Sequence, residues 1–64
     1  MRVENNIKVY RKQKNLTQEK LAQKSDLTLR TIQHYELGTR TPDILVLHRI
    51  AKVLDVTAAD LYPA

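Results

Sequence analysis

Leu16-Thr17-Gln18-Glu19-Lys20-Leu21-Ala22-Gln23-Lys24-Ser25, then Asp26-Leu27, then Thr28-Leu29-Arg30-Thr31-Ile32-Gln33-His34-Tyr35-Glu36-Leu37 reads as two short helices joined by a tight turn. Each half opens on a threonine, whose hydroxyl can accept a hydrogen bond from a free backbone N–H in the first helical turn. Each cap also stands between two apolar residues spaced to clamp the incoming chain: Leu16 with Leu21 around Thr17, and Leu27 with Ile32 around Thr28.

The same grammar extends outward. Asn15-Leu16-Thr17, Asp26-Leu27-Thr28 and Asp55-Val56-Thr57 are each an Asx, an aliphatic and a threonine. Asn and Asp tolerate the left-handed conformation that closes a helix, the aliphatic turns into the core, and threonine starts the next helix. These triplets therefore mark helix boundaries. After the third, Val56 pairs with Leu61, and Thr57-Ala58-Ala59-Asp60 matches a capping box. Gly38, the one glycine, follows the apolar pattern of the third helix and is its expected left-handed terminator. Val3, Ile7 and Tyr10 share a helical face, Asp43 can cap a fourth helix, and Leu47, Ile50, Ala51 and Leu54 form that helix's buried stripe with Ile44 at its start. The spacing predicts helices over about 4–14, 18–25, 29–37, 44–54 and 58–61, with Gly38-Thr39-Arg40-Thr41-Pro42 as a loop. The fold class is all-α, a compact five-helix bundle formed as one domain over 1–64.

A chain of 64 residues buries only about 60% of the surface its unfolded form exposes, which allows a small helical core but no deep enzyme cleft. It has no cysteine, so disulfides and thiolate metal sites are excluded. No apolar run approaches the roughly 20 residues that span a bilayer, and the start lacks an apolar signal segment. The expected setting is cytoplasmic, without membrane contact. A net charge of +4 and a pI near 9.7 suit a polyanionic partner, although many ordinary soluble domains share such an excess.

On a helical wheel the third helix separates into two faces. Thr31, Ile32, Tyr35 and Glu36 fall toward the core; Leu29, Arg30, Gln33, His34 and Leu37 fall outward. Arg can grip guanine O6 and N7, Gln can pair with adenine, and Leu can touch a thymine methyl. For an isolated helix, a solvated polar face would be the simpler explanation. A capped helix, a tight turn and a second capped helix change that balance, because a helix-turn-helix lays its second helix in the major groove of DNA. Gln18 at the start of the second helix is a candidate phosphate contact, as are Thr28, Thr39 and Arg40 beside the third. Glu36 lies at the edge of the buried face, where a lone carboxylate is costly. Arg11 is its plausible partner, giving a structural ion pair between the first and third helices. His34 and His48 lie on different helices with no carboxylate cluster near either in sequence, so neither a metal site nor a catalytic constellation is expected, and no cofactor is implied.

The sequence resembles the helix-turn-helix domain of the phage Cro and CI repressor family over about Ile7 to Leu61. The resemblance rests on Leu16-Thr17-Gln18-Glu19-Lys20-Leu21-Ala22, then Leu27-Thr28, Thr31-Ile32, Tyr35-Glu36, Gly38, Pro42, Leu47, Ile50-Ala51 and Leu54. It implies a five-helix, lambda repressor-like bundle that binds operator DNA as a dimer. Gln18 and Thr28 would meet the DNA backbone, Leu29, Arg30, Gln33 and His34 would face the major groove, Arg40 would lie near phosphate, and Arg11 would link to Glu36. Asn15, Asp26 and Asp55 stand where that family often has glycine, and Tyr10 and Tyr35 occupy positions that are often aliphatic. Leu45 and Val46 replace residues that are usually polar, which makes them, with Tyr62, a candidate dimer interface.

The resulting expectation is a sequence-specific DNA-binding transcriptional regulator, not an enzyme, that represses by occupying a near-palindromic operator as a homodimer. The alternative is a protein-interaction module, an antitoxin or adaptor, that uses the same fold to hold a protein partner through Leu45, Val46 and Tyr62.

Overall fold

The computed structural model describes residues 3–63. Five helices follow in chain order: α1 (Ile7–Gln13), α2 (Gln18–Lys24), α3 (Leu29–Leu37), α4 (Ile44–Leu54) and α5 (Ala58–Leu61). The last four begin on the caps expected from sequence. The side chains of Thr17, Thr28, Asp43 and Thr57 accept from the backbone N–H groups of Lys20, Thr31, Val46 and Asp60. At Thr57 the bond is reciprocated, because the Asp60 carboxylate accepts from the Thr57 N–H at 2.9 Å. Each such cap satisfies an orphan donor and contributes about 1 kcal/mol.

The helix ends are equally regular. Among the described residues, positive φ occurs at Asn15, Asp26 and Asp55 (57°, 57° and 58°) and at Gly38 (81°). The residue after each one sends its N–H back five positions: Leu16 to Arg11, Leu27 to Ala22, Thr39 to His34 and Val56 to Ala51, at 2.8–3.1 Å. This is the bond pattern of a Schellman closure. Leu16, Leu27 and Val56 are thereby turned inward, where all three pack against the core. One left-handed residue ends a helix, the aliphatic anchors the corner, and the threonine begins the next helix on a new axis.

All five helices supply the core, which consists of Ile7, Leu21, Ala22, Ile32, Tyr35, Ile50, Ala51, Leu54 and Leu61. Ile44, expected at the start of the α4 stripe, is instead 69% exposed. The N-terminal end also departs from expectation, since α1 begins at Ile7 and not near Glu4. Val3 is exposed and does not belong to its buried face. Two asparagines explain the shift. The Asn5 Oδ1 accepts from Ile7 N–H while its Nδ2 donates to the Tyr35 carbonyl at 2.8 Å. Asn6 donates its backbone N–H to the Leu61 carbonyl and its Nδ2 to the Asp60 carbonyl. Such side-chain bonds compete with a helical path, and residues 3–6 bond to the ends of α3 and α5 as a non-helical strap.

That strap makes Gly38 doubly constrained. Its carbonyl accepts from Val3 N–H at 2.9 Å, and a Cβ at Gly38 would run into the Val3 backbone carbonyl oxygen. Gly38→Ala therefore meets left-handed strain and a backbone clash together, with an expected cost of at least about 2 kcal/mol. Asp55→Gly relieves strain at an exposed closure and should change stability by no more than about 1 kcal/mol. Urea unfolding followed by circular dichroism checks both, and equal effects at the two positions would contradict this account of Gly38.

Candidate nucleic-acid interface

Arg11 and Glu36 meet under the corner formed by α1, α2 and α3. The Arg11 Nε and Nη2 donate to the two oxygens of Glu36 at 2.6 and 3.2 Å, and Nη1 donates to the Leu16 carbonyl at 2.7 Å. The side chains are only 9% and 4% exposed. The guanidinium thus holds a carboxylate on α3 with one edge and the turn before α2 with another, a geometry that lysine cannot reproduce. A third group closes the cluster: the Gln18 Nε2 donates to Glu36 Oε1 at 3.1 Å. Gln18, read from sequence as a candidate phosphate contact, is half-buried and bound to the ion pair. The wheel placed Glu36 beside the core but had no means of showing which α2 side chain would reach it.

Above this cluster the outer face of α3 is open. Arg30, Gln33, Leu29 and Leu37 are exposed, the leucines at 36% and 54%, while Ile32 and Tyr35 are buried beneath them. A shallow hollow of about 310 Å³ opens beside this face, lined by Lys8, Gln18, Gln33, Glu36 and Leu37. His34 sits lower than the wheel suggested. It is half-buried, and its Nδ1 lies 2.9 Å from the Thr39 Oγ1, which also donates to the His34 carbonyl at 3.2 Å. Thr39 thereby joins the end of α3 to the loop carrying Arg40. Neither Arg30 nor Arg40 forms an ion pair among the described residues. At the other end of α3, the Thr28 hydroxyl caps the helix and lies 2.9 Å from the Thr31 hydroxyl. Leu29, Arg30, Gln33 and His34 thus lie along one side of a single helix, with Thr28 at one end and Thr39 and Arg40 at the other. Gln18 joins them from α2.

The candidate dimer residues divide. Leu45 is 75% exposed and is accompanied by Ile44, whereas Val46 and Tyr62 pack partly against the core. Among the described residues the Tyr62 hydroxyl is buried without a hydrogen-bond partner, and burial, with the neighbouring Tyr35, pushes its pKa up to about 12. Among the described residues, no helix is long and apolar enough to cross a membrane, and no group of His, Asp or Glu is placed to hold a metal ion.

A family model described as helix-turn-helix matches residues 7–61. An uncharacterized helix-turn-helix-type transcriptional regulator of Bacillus subtilis is 46% identical over 52 residues, covering 81% of this chain and 45% of the relative. A regulator of the same description from Methanocaldococcus jannaschii is 37% identical over 60 residues, covering 94% of this chain and 91% of its own. The chain thus spans nearly all of the archaeal relative but less than half of the bacterial one. The fold superimposes with a TM-score of 0.83 on the restriction-modification controller protein C.AhdI from Aeromonas hydrophila, 28% identical, with 89% of this chain and 86% of that one covered. It superimposes with a TM-score of 0.78 on SinR, a master regulator for biofilm formation solved in complex with DNA. That match is 31% identical and covers 83% of this chain and 86% of that one.

Two outcomes follow from the buried groups. Arg11→Met leaves the Glu36 carboxylate without its cation and should cost about 3–5 kcal/mol, whereas Arg11→Met with Glu36→Leu should recover to within about 1 kcal/mol of the parent, because removing a whole buried pair is often neutral. Urea titration distinguishes the two. For Tyr62, an unfolded chain ionises near 10 and the folded one near 12. The unfolded state therefore releases its proton first, and stability should fall as pH rises across that window. Tyr62→Phe should abolish this component without loss of stability at neutral pH, since the hydroxyl makes no bond to lose.

Proposed function

Because the chain belongs to the Cro/CI-type helix-turn-helix family of DNA-binding transcriptional regulators, a family with a lambda repressor-like fold and not one of enzymes, we propose that it binds a specific operator through the outer face of α3 and represses by occupying it. The observation that carries this reading is the state of that face. Arg30 and Gln33 are exposed side by side on a helix whose opposite side is fixed in the core, and Arg30 forms no ion pair among the described residues. Their chemistry matches base edges in a major groove, Arg30 to guanine and Gln33 to adenine, with Leu29 placed for a thymine methyl.

The remaining contacts set register. Thr28 and Arg40 flank α3 and supply hydroxyl and guanidinium donors to phosphates on either side of the groove, Thr39, whose O–H is spent on the His34 carbonyl, holds the loop that carries Arg40, and Gln18 approaches from α2. His34, held by Thr39, joins the reading set with its Nε2. SinR, whose structure was solved with DNA, shares this fold at 31% identity, which supports the same use of the helix pair here.

A two-fold dimer would place two α3 helices about one DNA turn, roughly 34 Å, apart on a near-palindromic site. The exposed Ile44 and Leu45 at the start of α4 offer the apolar surface for that pairing, while Val46 and Tyr62 are partly buried against the core.

Selection of bound duplexes from a random pool supplies the operator, and two measurements on it then test the reading. With about 4–6 phosphates neutralised per subunit, log affinity should fall against log salt with a slope of about −4 to −5 per subunit. Arg30→Ala should cost about 1–3 kcal/mol and relax preference at one base position. An unchanged preference would remove Arg30 from the reading set, and affinity independent of both salt and sequence would favour a protein-binding module instead.

A further inference from the structure

The Arg11–Glu36 pair explains how α1 holds α3, but it leaves the Gln18 bond unexplained. A carboxylate already engaged by a bidentate guanidinium needs no third donor for its charge, yet Gln18 reaches across from α2 to Glu36 Oε1 at 3.1 Å. The bond has a directional consequence. An ionised carboxylate only accepts, so the amide must turn its nitrogen, and not its oxygen, toward Glu36. A glutamine side chain free in solvent samples both flips and many rotamers; this one is half-buried and held in one. With one Nε2 hydrogen spent on Glu36, the other hydrogen and Oε1 remain. Gln18 also lines the hollow beside the reading face together with Lys8 and Gln33.

Resting on the DNA-binding reading above, we propose that Glu36 is a positioning residue for DNA contact: neutralised by Arg11, it fixes the Gln18 amide so that the second Nε2–H is presented as a donor to a phosphate oxygen at the edge of the groove. Arg11 supplies the second requirement. A bare carboxylate beside the phosphate track would repel DNA, whereas the paired one orients Gln18 without adding net charge. The ion pair thus links α1, α2 and α3 in the fold and, through Gln18, sets a contact on the outer surface.

Charge-neutral double variants separate this role from simple structural support. Arg11→Met with Glu36→Gln keeps an oxygen acceptor opposite Gln18, while Arg11→Met with Glu36→Leu does not, and both remove one positive and one negative charge. Circular dichroism and urea unfolding first establish that both are folded. On the selected duplex, the Gln double should bind within about twofold of the parent, whereas the Leu double and the single Gln18→Leu should each lose about tenfold or more, the range of one hydrogen bond to a charged group. Adding Gln18→Leu to the Leu double should cost nothing more. In the free parent, the Gln18 side-chain amide should give a heteronuclear NOE near that of the backbone, and it should drop to the value of exposed Gln23 in the Leu double. Two folded doubles that bind equally tightly, or a triple that loses a further fivefold or so, would overturn the proposal. If Gln18→Leu leaves affinity intact while Arg30→Ala weakens it, positioning by Glu36 fails and the DNA-binding reading stands. If neither matters, the reading itself fails.

Discussion

The constraint on which the architecture depends is the burial of one charge pair in a domain too small to waste interior space. Arg11 and Glu36 lie almost wholly out of solvent, where either alone would cost several kcal/mol. A domain of this size has only about 3–5 kcal/mol in hand, so α1 and α3 must sit at the separation and rotation that let both oxygens of Glu36 meet the guanidinium. The bond from Arg11 to the Leu16 carbonyl extends the demand to the turn that launches α2. Three helices are thereby referred to a single side chain. An apolar replacement could match the stability without imposing the same geometry, which is a physical reason for a pair whose net energetic contribution is small.

Around that fixed point, the chain changes direction by a repeated corner. The left-handed Asx, the inward aliphatic and the capping threonine perform three tasks in three residues. They satisfy the last carbonyls of one helix, anchor the bend in the core and satisfy the first N–H groups of the next. Asn and Asp reach the left-handed region at some cost but lose less chain entropy on folding than glycine does. The exception is Gly38, where the strap through Val3 lies against the backbone and no side chain fits. Glycine is required there by space as much as by torsion.

Legibility in the sequence tracks the range of the interaction. The caps, the left-handed closures and the two faces of α3 are local, so residue type and spacing were enough to read them. The Arg11–Glu36 link was readable because a carboxylate at the edge of an apolar face demands a cation, and α1 offered one at the right level. What residue spacing does not carry depends on encounters between distant segments. Asn5 reaches the Tyr35 carbonyl and Asn6 the Asp60 carbonyl, and together these asparagines displaced the start of α1 from Glu4 to Ile7. Gln18 turned toward Glu36, and His34 settled against Thr39, for the same reason. Ile44 fits the period of the buried stripe, yet it lies at the mouth of α4 where no neighbouring helix covers it. Periodicity identifies a face but not how far the packing partner extends along it.

These long-range bonds also bear on how a domain of this size can present a rigid surface. The α3 helix is restrained along its length: at its start by the Thr28 hydroxyl, at Glu36 by Arg11 and Gln18, and near its end by Asn5 on the Tyr35 carbonyl and Val3 on that of Gly38. Its inner residues Ile32 and Tyr35 are buried in the core. The freedom left to α3 is therefore chiefly that of its outer side chains. Docking such an element against a groove requires ordering a few rotamers and no backbone, so less of the contact energy is lost to entropy. The polar groups that look redundant for folding, three donors on one carboxylate and Asn5 on the distant Tyr35 carbonyl, act to remove motion from the helix that faces outward.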